Sequence, residues 1–186
     1  MATLTEGEGG QRDALRGAAA KWTPIALGVL MCLGWGAVLW TVPHLHADPA
    51  LHTVARFAHL VGLVAGFGAV LTVDWLGLRW LLGHRTLGDV LQLARTAAAP
   101  IWAGLATLVV SGLVLHPDLA SWPTRVKLGI ALVIGLNGLY AHHLTPRLAG
   151  QEVPRSLLIR AAICGAVSQA GWWSATIIGF LNAHHT

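Results

Sequence analysis

Charged residues are scarce in this chain of 186 residues. Only 11% of the sequence is Asp, Glu, Lys or Arg, whereas 55% is hydrophobic, and soluble domains carry about 25% charged residues. The mean hydropathy is +0.63. This composition excludes an ordinary soluble enzyme or binding domain and indicates an integral membrane protein.

Several motifs of soluble enzymes are also missing. The sequence contains no GxSxG, HExxH, CxxC or phosphate-binding loop, so hydrolysis and phosphoryl transfer have no support. The two cysteines, Cys32 and Cys164, lie in apolar segments, where a thiol usually behaves as a small hydrophobic group. The net charge of +4 does not indicate nucleic-acid binding, because the basic residues stand at the ends of apolar segments rather than in one patch.

Five apolar segments dominate what is present. They are Pro24–Val42, Val54–Leu78, Ala97–Leu115, Thr124–Leu144 and Leu157–Leu181. Each is near the roughly 20 residues that cross a bilayer, and the backbone of such a span must form its hydrogen bonds internally. We therefore predict an all-α fold, a polytopic transmembrane bundle of five spans. It forms one domain, 22–186, after a disordered cytoplasmic tail, 1–21.

Lysine and arginine set the expected orientation. They are concentrated before the first span and in the second and fourth connections, which places the N-terminus in the cytoplasm and the C-terminus outside. Seven of the ten histidines then collect on the outer side, and these are His44, His46, His52, His59, His116, His184 and His185. Imidazoles are common ligands of metals and haem, so this asymmetry is the main functional clue.

The outer loops carry the candidate metal ligands. His44 and His46 form an H-x-H pair, and His116 opens the other outer loop. Imidazole ligands suit Cu(II) or Zn(II), and there is no methionine or thiolate cluster to favour Cu(I). The predicted metal ligands are His44, His46, His59 and His116, the alternative being that they are ordinary loop residues.

Two of the spans carry matched faces of small and ionisable residues. One face holds His59, Gly62, Gly66, Val70 and Asp74, and the other holds Lys127, Ala131, Gly135, Gly138 and His142. On each helix 15 residues separate the ionisable side chains, a rise of about 22 Å. Parallel packing of these faces would set His59 level with Lys127. It would also set Asp74 level with His142, so these four are the candidate cofactor-binding residues. The alternative is a structural role, in which the ionisable side chains only extend to the lipid headgroups or cap the helix ends.

The fourth span also resembles a known family. The stretch SWPTRVKLGIALVIGLNGLYAHHLTPRL, Ser121–Leu148, is similar to the helix of copper-resistance D membrane proteins. In that helix a Lys-Leu is followed by an Asn and then by a Pro-Arg-Leu. Lys127, Leu128, Asn137, Pro146, Arg147 and Leu148 stand in those places, and His59 matches the histidine that opens another helix of the family. The resemblance implies copper transport or tolerance at a bacterial inner membrane. The implied partners are the lipid bilayer, a periplasmic copper carrier or other membrane subunits, and further copies of the chain.

The same two helices resemble the HemJ-type protoporphyrinogen oxidases, which are four-span membrane proteins that bind haem b. That resemblance implies that His59 and Lys127 serve a haem-dependent oxidoreductase. The sequence departs from the HemJ pattern at Tyr140-Ala-His142 and by its fifth span. A third alternative is a non-catalytic membrane subunit that binds partner helices through its glycine faces. The side chains of Trp172 and Trp173 would either line the site of a planar cofactor or pack between helices.

Overall fold

Five α-helices make up the described part of the chain. The computed structural model describes residues 4–44, 48–115, 117–150 and 152–182, and the side chains of residues 4–21 and 43 lie outside that description. The helices are α1 (Leu4–Thr41), α2 (Pro49–Leu81), α3 (Leu87–Val114), α4 (Trp122–Leu148) and α5 (Arg155–Asn182), with a 3₁₀ turn at Val42–His44. These ranges contain no strand, and the predicted all-α class is confirmed.

Four of these helices are long and apolar enough to cross a membrane. They are the Trp22–Thr41 part of α1 and the whole of α2, α3 and α4. Among the described residues α5 does not reach the same hydropathy, because Ser168, Gln169 and Ser174 dilute its apolar residues. The protein is therefore a membrane protein, while the fifth span and the sides on which the termini lie stay predictions.

The N-terminal segment continues the first helix. α1 runs back to Leu4, through the segment that the sequence analysis assigned to a disordered tail of residues 1–21. Ala-rich sequence such as that at residues 14–20 has high helix propensity. The division into a tail and one transmembrane domain stays a prediction.

Polar caps fix the ends of two helices. Asp48 precedes α2, and its Oδ1 accepts a hydrogen bond of 2.7 Å from the amide of Leu51. Thr86 and Asp89 form a reciprocal capping box at the start of α3. Gly83, with φ of 76°, lies in the short turn between α2 and α3. Such caps satisfy amides that have no partner inside the helix, and the turn brings α3 back alongside α2.

α2 and α3 pack backbone to backbone at a glycine contact. A Cβ added to Gly104 would lie 2.6 Å from the Cα of Gly66 and 2.7 Å from the carbonyl oxygen of Gly62. No side chain fits in that space. Small residues allow this close approach, and close packing is what associates helices in lipid, where apolar surface alone gives no preference for protein.

The predicted pairing of the α2 and α4 glycine faces is wrong. Gly62 and Gly66 face α3, whereas a Cβ on Gly135 would meet the side chain of Met31 on α1. The short turn after α2 makes α3 its antiparallel neighbour, and Gly104 supplies the small partner surface. His59 therefore packs against α3 rather than directly against α4.

Two clusters of buried side chains hold α4 and α5 in the bundle. Phe67, Val70, Leu105, Ile134 and Trp172 form one cluster, and Leu144, Leu148 and Cys164 form the other. The Asn137 side-chain amide donates a 2.9 Å hydrogen bond to the carbonyl oxygen of Cys164, which ties α4 to α5. Cys164 is thus a buried packing residue with a free thiol.

Candidate functional site

The first candidate site is built around His59, which is half-buried on α2. Its Nδ1 lies 2.9 Å from the Oγ of Ser111 on α3. The Ser111 hydroxyl in turn donates a 2.5 Å hydrogen bond to the carbonyl oxygen of Thr107. Because that hydroxyl hydrogen is already used, the Ser111 oxygen accepts from Nδ1–H. The carbonyl oxygen of Leu108 is a further hydrogen-bond partner of the ring. With the ring hydrogen on Nδ1, the lone pair of Nε2 is the one that would bind a ligand.

Lys127, near the start of α4, acts electrostatically on His59. It lies close enough to His59 for its positive charge to act on the imidazole. The prediction that these two residues share a level stays a prediction, and α3, not α4, contacts the α2 glycine face. We call the group His59, Ser111 and Lys127 the His59 site.

His44 shows the same ring arrangement as His59. It is exposed in the 3₁₀ turn after α1, and its Nδ1 lies 3.1 Å from the carbonyl oxygen of Trp40. A carbonyl oxygen can only accept, so Nδ1 of His44 is the donor, and no hydrogen bond joins Nε2 to the described residues. Metal-binding histidines typically use the second ring nitrogen in this way, because the hydrogen bond fixes the tautomer and the orientation.

The other two predicted metal ligands, His46 and His116, lie outside the described residues. Within the part of the chain that is described, no group of three or more His, Cys, Asp or Glu side chains is placed to hold a metal ion. The assignment of His44, His46, His59 and His116 as metal ligands therefore stays a prediction.

The second candidate site is a cleft of about 700 Å³ among α2, α3, α4 and α5. Its lining is mainly apolar, with a few polar residues, Asp74, Arg95, Asn137, His142, Thr145 and Ser168. Its size and composition fall in the range of cofactor and ligand pockets. The sequence placed Asp74 level with His142, and both line this one cleft, which we call the α2–α5 cleft. His59 and Lys127 do not line it.

A short polar contact joins α5 to Asp74, which lines the α2–α5 cleft. The side-chain amide of Gln169 donates to the Asp74 Oδ2, and a Cβ added to Gly165 would lie 3.8 Å from Oδ1. An ionisable residue inside a membrane span is expensive to bury and usually marks function. Asp74 is therefore held by α5 rather than by His142, the partner suggested by the sequence analysis.

Sequence reasoning missed Ser111, Gln169 and Arg95. Ser111 could have been found, because Thr107 and Ser111 are four residues apart and follow Gly104 on α3 by about one and two turns. Gln169 is a conspicuous amide in an apolar helix, but nothing in the pattern connects it with Asp74 on a distant segment. Trp172 is buried in the wall of the cleft, whereas Trp173 is exposed and does not line it.

The hydrogen bond from His59 to Ser111 predicts a measurable effect on metal binding. Ser111→Ala removes the acceptor that fixes the ring, so the affinity of Cu(II) should fall by about tenfold in a calorimetric titration. Ser174→Ala, an exposed serine on α5, is the matched control and should leave the affinity unchanged. Equal affinity in the two variants would show that Ser111 does not position the imidazole for a metal.

No protein-family model, no curated protein and no solved structure matches the chain.

Proposed function

We propose that the protein handles copper, by transport or tolerance, at the outer face of a bacterial inner membrane. The observation that carries the proposal is the shared contact of His44 and His59, each of which has Nδ1 within hydrogen-bond distance of an oxygen atom, Trp40 O and Ser111 Oγ respectively. With the ring hydrogen on Nδ1, the lone pair of each Nε2 is the one that would bind an ion. Neutral imidazole nitrogen is a good ligand for Cu(II). Membership of the copper-resistance D family, expected from Lys127, Leu128 and Asn137, is part of this proposal.

The two histidines differ in how they are held, and this difference suggests an order of use. His44 is exposed in a turn, whereas His59 is half-buried between α2 and α3. An exposed ligand receives the ion first, and an internal ligand holds it in the bundle. Copper is then cargo that reaches His59 from the outer side, supplied by a periplasmic carrier or a partner subunit.

Lys127 gives the His59 site a second property. The ammonium form of Lys127 near the ligand would oppose tight retention of a cation. Such a balance is useful in a pathway, because a transported ion must leave as well as bind. The pairing of His59 with Lys127 therefore supports passage or transfer of copper more than permanent storage.

Titration of the purified protein with Cu(II) tests the proposal. We expect a saturable site in metal-free protein that is embedded in lipid nanodiscs, measured by calorimetry and checked by metal analysis of the protein as isolated. His44→Ala combined with His46→Ala should weaken binding, because it removes the two predicted ligands of the H-x-H pair. Absence of saturable Cu(II) binding in the unchanged protein would end the copper proposal.

A haem-b oxidoreductase is the second proposal, and the α2–α5 cleft is the observation that favours it. The cleft offers one imidazole, His142, and one guanidinium, Arg95, in an apolar surround of about 700 Å³. These residues would hold the iron and a haem carboxylate, and haem would supply electron transfer. His59 is not in the cleft, so this assignment departs from the HemJ pattern. A Soret band that persists in His59→Gln and disappears in His142→Gln would favour haem over copper.

A further inference from the structure

We propose that a cavity at the connection between α4 and α5 binds the phosphate group of an anionic membrane lipid. The cavity has a volume of about 270 Å³, and its lining residues are Arg147, Pro154, Ser156, Leu157 and Arg160. We call it the Arg147–Arg160 cavity. The proposal does not depend on copper at the His59 site or on a haem in the α2–α5 cleft, because neither site includes any of these residues.

Two guanidinium groups from different helices line this cavity. Arg147 stands in the last turn of α4, and Arg160 lies in the second turn of α5. Neither side chain has a hydrogen bond, an ion pair or a ring contact within the described residues. Arg125 differs, since it donates to the carbonyl oxygen of Ala120 and lies over the ring of Trp122. Arginine stays charged and carries a fork of donors that matches two phosphate oxygens, so two such groups beside one cavity favour a phosphate ligand.

The start of α5 adds further donors at the same place. Pro154 precedes the helix and has no side-chain oxygen to cap it, and the first turn contains no acidic residue. The Ser156 hydroxyl group lies one turn before Arg160 on the same face of the helix. The first amide of α5 that donates to a carbonyl oxygen is that of Leu157, so in the described part of the chain the amides of Arg155 and Ser156 have no acceptor. Free amides and the positive end of the helix dipole both favour an anion beside the two arginines.

Packing fixes the backbone on both sides of the cavity. Leu148 follows Arg147, is 6% exposed, and lies with Leu144 and Cys164 in a buried cluster. Leu157, which lines the cavity, packs against that cluster. Only the long side chains therefore need to become ordered when a ligand binds. A fixed backbone lowers the entropic cost of binding.

The position of the cavity favours a lipid over a soluble phosphate. α4 is long and apolar enough to cross a membrane, and Arg147 is its second-to-last residue, so this residue lies near one membrane surface. Two isoleucines of α5 near Arg160 are exposed, Ile159 by 59% and Ile163 by 56%. Ile163 lies three residues after Arg160 and is its neighbour on the helix surface. A phosphate group in the cavity would thus have apolar surface beside it for acyl chains, which is the arrangement that a phospholipid needs.

The local charge favours a lipid with a net negative charge. Residues 147–160 contain three arginines but a single acidic residue, Glu152, which does not line the cavity. A zwitterionic headgroup would place its own ammonium near these arginines, and like charges repel. Basic pockets between transmembrane helices are a recurring form of binding site for anionic headgroups.

Native mass spectrometry of the full chain in neutral detergent, without metal, tests the proposal by titration with palmitoyl-oleoyl-phosphatidylglycerol. We expect this lipid to bind in preference to the matching phosphatidylcholine. Arg147→Gln combined with Arg160→Gln should weaken its binding about 25-fold, since each arginine near a membrane surface adds about fivefold in affinity for an anionic lipid. Arg79→Gln combined with Arg85→Gln is the matched control, because it removes the same charge near the α2–α3 turn and lines neither cavity. Equal affinity in the two double variants would overturn the proposal.

Ser156→Phe decides the matter if the arginine variant does not fold, because it fills the cavity and keeps every arginine. It should abolish the preference for phosphatidylglycerol. Ala170→Phe, at an exposed residue of α5 outside the cavity, should retain that preference. A preference that survives Ser156→Phe contradicts the proposal.

Calorimetry with inorganic phosphate separates the two sources of a phosphate group. The protein is placed in phosphatidylcholine nanodiscs without metal, and we expect no saturable binding, because free phosphate lacks the acyl chains that pack beside Ile163. Saturable binding that is lost when Arg147 and Arg160 are both replaced by glutamine would assign the cavity to a soluble phosphate and overturn the lipid site. Because copper is absent throughout, these results do not depend on what binds at the His59 site.

Discussion

Gly104→Ala should lower the free energy of unfolding by about 2–3 kcal/mol, the cost of inserting a methyl group where no space exists. The added Cβ would lie 2.6 Å from the backbone of Gly66. Helix backbone cannot yield as a side chain does, so α2 and α3 must move apart along their length. Thermal unfolding of the protein in detergent, followed by circular dichroism, measures the loss.

Gly68→Ala is the control for this substitution. It makes the same chemical change in the middle of α2, but an added Cβ would meet nothing within 4 Å. Alanine favours a helix over glycine by up to about 1 kcal/mol, so stability should stay the same or rise slightly. If the Gly104→Ala and Gly68→Ala variants unfold at the same temperature, the close contact between α2 and α3 does not exist in the membrane protein.

His59→Gln should weaken Cu(II) binding by roughly 100-fold or more, because loss of a ligand exceeds the tenfold to 100-fold effect of losing the group that orients it. Glutamine keeps a polar side chain of similar length, which limits damage to the contact with Ser111. The measurement is a Cu(II) titration, combined with copper sensitivity of cells that express each variant at equal levels.

The control is His143→Gln, which removes one imidazole from α4 but neither lines the α2–α5 cleft nor belongs to the His59 site. Binding in that variant should match the unchanged protein. A His59→Gln protein that binds Cu(II) with unaltered affinity would leave His59 with a packing role against Ser111.

Hydropathy located the helices but not their neighbours. The apolar segment Val54–Leu78 lies within α2, and Thr124–Leu144 lies within α4, because the length of a span is dictated by bilayer thickness. The contact surface of α2 could not be assigned in the same way. Residues that face lipid are as apolar as residues that face protein, so periodicity does not reveal which glycine face meets which. No ionisable residue lies beside Gly104 on α3, so the sequence did not mark this face of α3 as a contact surface.

The candidate sites were predictable to the same limited extent. Equal spacing on α2 and α4 indicated that His59 shares a level with Lys127, and that Asp74 shares one with His142. The hydrogen-bond partners were not predictable, since Ser111 and Gln169 come from other helices and are fixed by rotation about the helix axis. A shift of one residue turns a side chain by about 100°, and no pattern in an apolar span determines that angle.

The glycine contact between α2 and α3 also bears on how the chain enters a membrane. Only residues 82–86 separate the two helices, and their contact is local in sequence, so the pair can form a helical hairpin before the rest of the bundle assembles. The Trp22–Thr41 part of α1 has none of its most apolar stretch buried. We therefore expect the hairpin to be the nucleus of assembly during insertion, with α4 and α5 added to it and α1 joining through Met31 last. His59, which contacts Ser111 on α3, would then be oriented at the first step, before the cleft exists.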